Sequence, residues 1–274
     1  MYDFKAEESH GEMEEESLET YILKITQLIN DNQTCLNLDC GDLRSFPTTE
    51  HLYSQLVQFP SKIIPLFDVV VNEVAQEIAE GSGTKPAPIH VRVYNLAEKV
   101  PMRNLSVDNI DQLVCIEGMI TRVGDLIPDL RVAVFRCCIC HYEERVNRDG
   151  TRVENPERCP HCKQVGSMRI DHNSSLFKDK QLIKMQEVPD QVPQGETPQS
   201  VCLYGHEELY DIVKPGDKVE VTGIYKAIPV KVNRNTTTIR DVFRTFIEVI
   251  HYRKQVEGRF VVEGKEVNEV RNRE

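Results

Sequence analysis

Cys137, Cys140, Cys159 and Cys162 form two C-x2-C pairs separated by 18 residues, and no other feature of the chain restricts its local folding so tightly. Zinc takes four soft, deprotonated ligands at the corners of a tetrahedron. A C-x2-C turn presents two thiolates at the separation one metal needs. A four-cysteine set is closed, because no coordination position stays open for a water to be activated. The pattern therefore predicts one structural Zn2+ per chain, in a ribbon over residues 135–168, and no reaction.

Other readings of these cysteines are weaker. The tetrad could form two disulfides, but nine cysteines are an odd count that leaves one thiol unpaired however the others pair. No secretory signal accompanies them, and disulfides are rare in the cytosol and nucleus. A redox C-x-x-C wants a thioredoxin-like βαβ setting, which the surrounding pattern lacks. Cys138 lies inside the first pair, but Cys138 and Cys140 lack the two-residue spacer. His141 and His161 could each replace a thiolate; with four well-spaced cysteines they read as neighbours of the site. Cys35, Cys40, Cys115 and Cys202 sit among apolar residues and read as small buried side chains.

Charge is distributed unevenly. The net charge of −11 argues against nucleic acid only if it is spread evenly. Residues 1–16 belong to an acidic stretch in which Asp3, Glu7, Glu8, Glu12, Glu14, Glu15, Glu16 and Glu19 face Lys5 alone, a solvated, disordered tail. Residues 226–254 instead carry Lys226, Lys231, Arg234, Arg240, Arg244, Arg253 and Lys254 against Asp241 and Glu248, a local field that attracts phosphates. No apolar run reaches the roughly 18 residues needed to cross a bilayer. The opening residues also lack a basic start and an apolar stretch, so the expectation is an intracellular protein with no membrane partner.

The periodicity predicts an α+β chain of several domains. Leu18, Tyr21, Ile22, Ile25, Leu28 and Ile29 share a helix face, with Ser17 as N-cap and Asn30-Asp31-Asn32 at its end. A short strand over Leu36 to Leu43 follows. Leu52, Leu56 and Phe59 mark a second helix stopped by Pro60. A third carries Ile63, Phe67, Val70, Val71, Val74 and Ile78 on one face, with Pro65 in its first turn and Gly81 past its end. These helices form an N-terminal bundle over residues 17–95, with a Gly- and Pro-rich connector leading to a strand at Ile89 to Val93.

Beyond about residue 105 the pattern is β. Strands are expected at Leu113 to Val123, Leu182 to Val188, Val201 to Tyr204, Lys218 to Tyr225 and Thr245 to Tyr252. Some five strands in a closed sheet suggest an OB-fold β-barrel over residues 96–254, interrupted by the zinc segment as an inserted ribbon. From Lys226 to Thr245, alternation around Asn233-Arg234-Asn235 predicts a long β-hairpin with Lys231, Arg234 and Arg240 near its tip. Pro229 keeps its outgoing strand from the centre of a sheet. The residues alone leave two readings of those cations open: contact with DNA, or a charged edge that resists aggregation. Residues 255–274 read as a linker.

Recurrent catalytic patterns are missing. The sequence holds no G-x-x-x-x-G-K-[ST] phosphate loop, no G-x-G-x-x-G after a strand, no G-x-S-x-G and no H-E-x-x-H. The expectation is a chain that catalyses nothing by itself and does not bind ATP.

Against this background the sequence resembles the N-terminal part of the minichromosome maintenance (MCM) replicative helicase family, over roughly residues 17–254. The resemblance rests on D-N-I-D-Q-L-V-C-I-E-G-M-I-T-R from Asp108, L-I-P-D at Leu126 and the cysteine tetrad. It continues in S-L-F-K-D-K-Q-L-I-K-M-Q-E-V-P-D from Ser175, V-P-Q-G-E-T-P from Val192, G-I-Y-K-A-I-P-V-K-V-N from Gly223 and V-I-H-Y-R-K from Val249. It implies a nuclear protein of replication licensing, with a helical A-domain, a zinc ribbon and an OB domain. Its implied partners are single-stranded and duplex DNA and other MCM subunits in a hetero-hexameric ring. A second hexamer is implied as well, met through the zinc ribbon.

Carried over by position, the resemblance makes Arg122 and Lys184 cations of the OB surface that touch single-stranded DNA. Lys184 suits this on pattern too, since it and Gln186 share one strand face opposite Ile183 and Met185. Lys226, Lys231, Arg234 and Arg240 match the basic hairpin that enters the channel, and the loop from Pro189 to Pro198 matches a relay towards the family's ATPase tier. The chain departs from the family in the extra thiol of Cys138 and in lacking the AAA+ motor. It is therefore expected to be a fragment or truncated product that binds and assembles without hydrolysing ATP. Two other classes remain at this stage: a protein-interaction scaffold that does not touch DNA, and a zinc-ribbon OB single-strand-binding protein similar to the large subunit of replication protein A. The latter wants stacking aromatics, whereas the chain has no Trp and only 7% aromatic residues.

Overall fold

The computed structural model describes residues 21–80, 87–147, 153, 155–231, 239–256 and 259–262. Expectations for the acidic tail, for Arg234 and its turn, and for most of 255–274 fall outside them. The described chain forms two compact units. One holds the residues up to Val123, Ile183–Tyr204 and the chain from Asp211 onward; the other holds Gly124–Leu182 and Gly205–Tyr210.

Four helices open the first unit: α1 (21–30), α2 (Cys40–Ser45), α3 (Pro47–Gln58) and α4 (Pro60–Glu80). The first ends where the sequence predicts. Asn32 takes a left-handed φ of 50°, and the Gln33 amide reaches back to the Leu28 carbonyl at 3.0 Å, closing the last turn. Strand β1 (Cys35–Asp39) is shorter than expected, because Asp39 caps a new helix by accepting the Gly41 amide at 2.7 Å. It runs parallel to β2 (His90–Tyr94).

The longest helix starts three residues before Ile63, the first residue of its apolar pattern. Pro60 occupies its first position, where a missing N–H costs nothing, and Pro65 lies inside it rather than in its first turn. Its buried face uses Ile63, Ile64, Phe67, Val71, Val74, Ala75 and Ile78. Val70 is not among them and faces solvent, as do Leu66 and Val69. Polar residues of the same helix satisfy the backbone of the β2 edge. The Asn72 side chain exchanges two hydrogen bonds with Ile89, and Asp68 accepts from the Val91 amide at 2.7 Å.

The main sheet comprises β3 (Leu113–Cys137), β4 (Glu143–Asn147), β5 (Met168–Gln186), β6 (Ser200–His206), β7 (Lys218–Lys231), β8 (Ile239–Val256) and β9 (Arg259–Val262). Neighbours run β4-β3-β5-β6-β8-β7, with β9 on β8, and β7 also pairs with β3. The circuit of pairings thus returns to its starting strand. Ile116, Ile120, Ile183, Met185, Leu203, Val219, Val221 and Ile247 are each buried almost completely. Glycine allows two close approaches: a Cβ on Gly223 would lie 2.5 Å from the Glu248 carbonyl oxygen, and one on Gly118 2.7 Å from that of Gln186. The β7–β8 ladder shifts register at Thr222/Gly223, a bulge that bends the pair.

Two strands are far longer than the sequence predicts. The strand expected to end at Val123 continues as β3 through Gly124 and Pro128 to Cys137, and the strand expected from Leu182 begins as β5 at Met168. The cysteine-bearing segment lies in the chain between the end of β3 and the start of β5.

The second face of β3 and β7 is covered, too. Leu113, Cys115 and Ile224 join Cys40, Leu56, Val91, Val93 and Leu96 in one apolar cluster. That cover explains why Glu220 and Thr222, the polar half of the β7 alternation, are buried. Glu220 is answered by Lys99 at 2.6 Å.

Candidate metal centre and nucleic-acid interface

Each half of the cysteine set is built by the same local turn. The amide of Cys137 donates to the Tyr142 carbonyl at 2.9 Å, and that of Cys159 to the Gln164 carbonyl at 3.1 Å. The His141 amide returns to the Cys137 carbonyl at 3.1 Å, and that of Lys163 to Cys159 at 2.9 Å. His141 and Lys163 take left-handed φ values of 57° and 58°. Both turns thus repeat residue for residue, although neither has the glycine or asparagine that usually marks such a position. Only the C-x2-C spacing made them visible in the sequence.

The four Sγ atoms lie within 4.8 Å of one another. Cys137 and Cys162 are 3.6 Å apart, and Cys140 and Cys159 3.5 Å. A disulfide needs about 2.05 Å, whereas bonds of about 2.3 Å to a tetrahedral zinc separate two sulfurs by about 3.8 Å. The set fits one metal ion. Amide N–H groups in the first turn favour a thiolate: the Cys140 amide above all, then Ser167 and the Ile139 amide, draw Cys137 down to about 5. At Cys140 the Tyr142 amide pulls the same way. Burial and the three neighbouring thiols outweigh it and push this thiol up to about 12. Cys138 points to solvent, His141 is exposed, and His161 stacks on Tyr142 with centroids 6.1 Å apart. Around the thiols Ala133, Phe135 and Met168 form a small apolar core.

Among the remaining cysteines, Cys40 and Cys115 are buried as expected, and burial raises each thiol to about 12. Cys35 is half-buried. Cys202 corrects the expectation: it is exposed, because β6 turns Leu203 inward and its neighbour outward.

In the first unit, Arg122 and Lys184 lie on neighbouring strands. The Thr121 hydroxyl donates to the Lys184 carbonyl at 3.0 Å, which fixes β3 beside β5 at this point. Both cations are exposed, and neither has a side-chain ion pair among the described residues. Ile183 and Met185, on either side of Lys184, are wholly buried. Lys226 is different. It is half-buried and ion-paired with Glu248 of β8. From there β7 and β8 run antiparallel from Ala227↔Thr245 out to Lys231↔Ile239. The side chains of Lys231 and Arg240, and all of Arg234, lie outside the described residues.

One polar network escapes sequence reasoning. Arg103 donates through Nε to both carboxylate oxygens of Glu187, at 2.9 and 3.0 Å, binds Glu196, and reaches the Thr197 carbonyl at 3.3 Å. Glu187 is 3% exposed and also accepts the Gln199 amide at 3.3 Å. The guanidinium, foremost, holds the Glu187 carboxyl below the usual carboxylate range. Arg103 thereby ties down both ends of the Pro189 to Pro198 loop. The pair is 84 residues apart in sequence, so no local pattern announces it.

Comparison with known proteins agrees with these features. Residues 3–95 match the MCM N-terminal domain, and residues 101–229 match the MCM OB domain. The chain belongs to the MCM family. It is 43% identical over 234 residues to the DNA replication licensing factor mcm4 of Xenopus tropicalis, covering 85% of this chain and 27% of the relative. Identity to mcm4 of Schizosaccharomyces pombe is 39% over 232 residues, 80% of this chain and 25% of that protein. Identity to Mcm2 of Drosophila melanogaster is lower, 29% over 78% of this chain and 24% of the relative. The run K-A-I-P-V-K-V-N from Lys226 resembles the fourth eukaryotic MCM subunit in particular, and the identities favour the same subunit. The chain spans about a quarter of the length of these relatives.

Proposed function

We propose that this chain is the DNA-binding and ring-assembly module of an MCM replicative helicase subunit, acting in the nucleus in replication licensing, origin loading and unwinding. The sheet whose pairings return to β3 is read as the OB barrel, and residues 17–95 as the helical A-domain beside it. The four cysteines hold one structural Zn2+ in a ribbon over 135–168. That ribbon faces a second hexamer, while other MCM subunits flank the chain in a hetero-hexameric ring.

DNA contact falls to Arg122 and Lys184 on the barrel, and to Lys226, Lys231, Arg234 and Arg240 of a hairpin over 226–245. The observation that supports this best is the pair Arg122 and Lys184: exposed, side by side on adjacent strands, and without an ion-pair partner among the described residues. Cations of this kind neutralise phosphates, so binding falls with salt and reads little sequence. ATP hydrolysis belongs to a motor that these residues do not supply.

Anisotropy of labelled single-stranded DNA against salt tests the reading. Arg122→Ala with Lys184→Ala should weaken binding and reduce the slope of log K against log salt by about 1.4, for two lost phosphate contacts. An unchanged affinity and slope would refute the role of these two residues.

A further inference from the structure

A cavity of about 660 Å³ opens in the first unit where α3 meets α4 beside the start of β3. Its lining includes Gln58, Phe59, Lys62, Asp111, Gln112 and Lys226. One aromatic ring, two cations and two carboxamides converge there. Phe59 is 53% exposed, while Leu56 one turn earlier is fully buried. The Lys62 ammonium stands 5.7 Å from its ring centroid. The opposite wall is fixed by backbone pairing: the Asp111 amide donates to the Tyr225 carbonyl at 2.7 Å, and the Tyr225 amide to that of Gln112 at 3.1 Å. This pairing sets Gln112 beside Lys226, whose ion pair with Glu248 holds its side chain in place.

We propose that this cavity is a single-nucleotide subsite for single-stranded DNA, with a base stacked on Phe59 and its phosphate held by Lys62 and Lys226. An apolar peptide would leave the Lys62 ammonium and the carboxamides of Gln58 and Gln112 unanswered and would cover the Lys226–Glu248 ion pair. An acidic peptide would answer the lysines and leave the ring in water. A nucleotide answers all three: its flat face suits the ring, its edge carries donors and acceptors for Gln58 and Gln112, and its phosphate suits the lysines. Asp111 and Glu248 balance the two lysine charges, so stacking supplies more of the binding than charge does. The proposal rests on the reading that the strand follows residues 226–245, since Lys226 belongs to both.

Anisotropy of labelled single-stranded DNA with three variants decides it. Phe59→Leu should weaken binding about tenfold with an unchanged salt slope, as expected when one stacked base is lost. Phe59→Tyr, which keeps a ring face, should bind within about twofold of the parent on the same stacking argument. Lys62→Ala should weaken binding less and lower the salt slope by about 0.7. Phe59 is exposed, so an unchanged melting temperature checks that Phe59→Leu is folded; should it melt early, the slope change of Lys62→Ala decides alone. The subsite is overturned if Phe59→Leu binds as the parent does, or if Phe59→Tyr fails equally. With either result, continued weakening by Arg122→Ala and Lys184→Ala leaves the wider DNA-binding reading standing. A parent chain that binds no single strand overturns both.

Discussion

The two units hold their shapes by different means. In the first, Ile116, Ile183, Leu203, Val221 and Ile247 are buried to within a few per cent, and apolar area removed from water does the work. In the second, the five fully buried residues around the metal site are Ala133, Phe135, Met168 and two of the cysteines themselves. On the proposed reading, so small an apolar set leaves the ribbon dependent on four thiolates sharing one cation. A shape made by burial resists chelators and yields to cavities; a shape made by ligands does the reverse.

The largest expected effect is therefore on the ribbon. Replacing Cys140 with Ser, or stripping the metal with a chelator, should abolish the proposed one zinc per chain and open amide exchange across residues 135–168 while the buried strands of the first unit stay protected. Elemental analysis and hydrogen exchange measure both. Cys138→Ser should leave the zinc content unchanged, since that thiol points away from the site. Metal-free protein with a protected ribbon would erase the contrast between the units.

Next comes the sheet. Ile183→Ala should destabilise the first unit by about 2–5 kcal/mol, because a wholly buried side chain leaves a cavity. Denaturant melts should show this loss with zinc content intact.

A smaller effect belongs to the Arg103–Glu187 clamp and depends on pH. The Glu187 carboxyl is held below its ordinary range by Arg103. Its contribution is thus complete above the unfolded value near pH 4.3 and disappears as pH falls through the lowered native value. Glu187→Gln should lower the melting temperature most near neutrality and converge with the parent only once the pH is below that lowered native value. A gap that does not change with pH would mean the ion pair is not what the loop relies on.

The same contrast explains how much was legible in the sequence. The clustering of the four cysteines could be read because a metal site imposes a fixed spacing on neighbouring residues. Helix α4 and the strands after Leu113 could be read from periodicity, but their ends could not. β3 passes straight through Gly124 and Pro128, and Asp39 turns an expected strand into a helix. Val70 matched the helical period and still faces solvent, since periodicity marks a stripe without stating how wide the covering layer is. Arg122 carried no local signal beyond its charge; its place came from family resemblance, and only the fold set it beside Lys184. The Arg103 clamp joins distant segments, so it became visible only in three dimensions.

On the proposed reading, the cations of the first unit bind DNA and the four-cysteine ribbon does not. Single-strand affinity at low salt, measured side by side for Cys140→Ser and for Arg122→Ala with Lys184→Ala, tests it directly. The zinc-free variant should keep most of the parent affinity while the double variant loses it. The opposite pattern, DNA binding lost with the zinc and retained without the two cations, would contradict it.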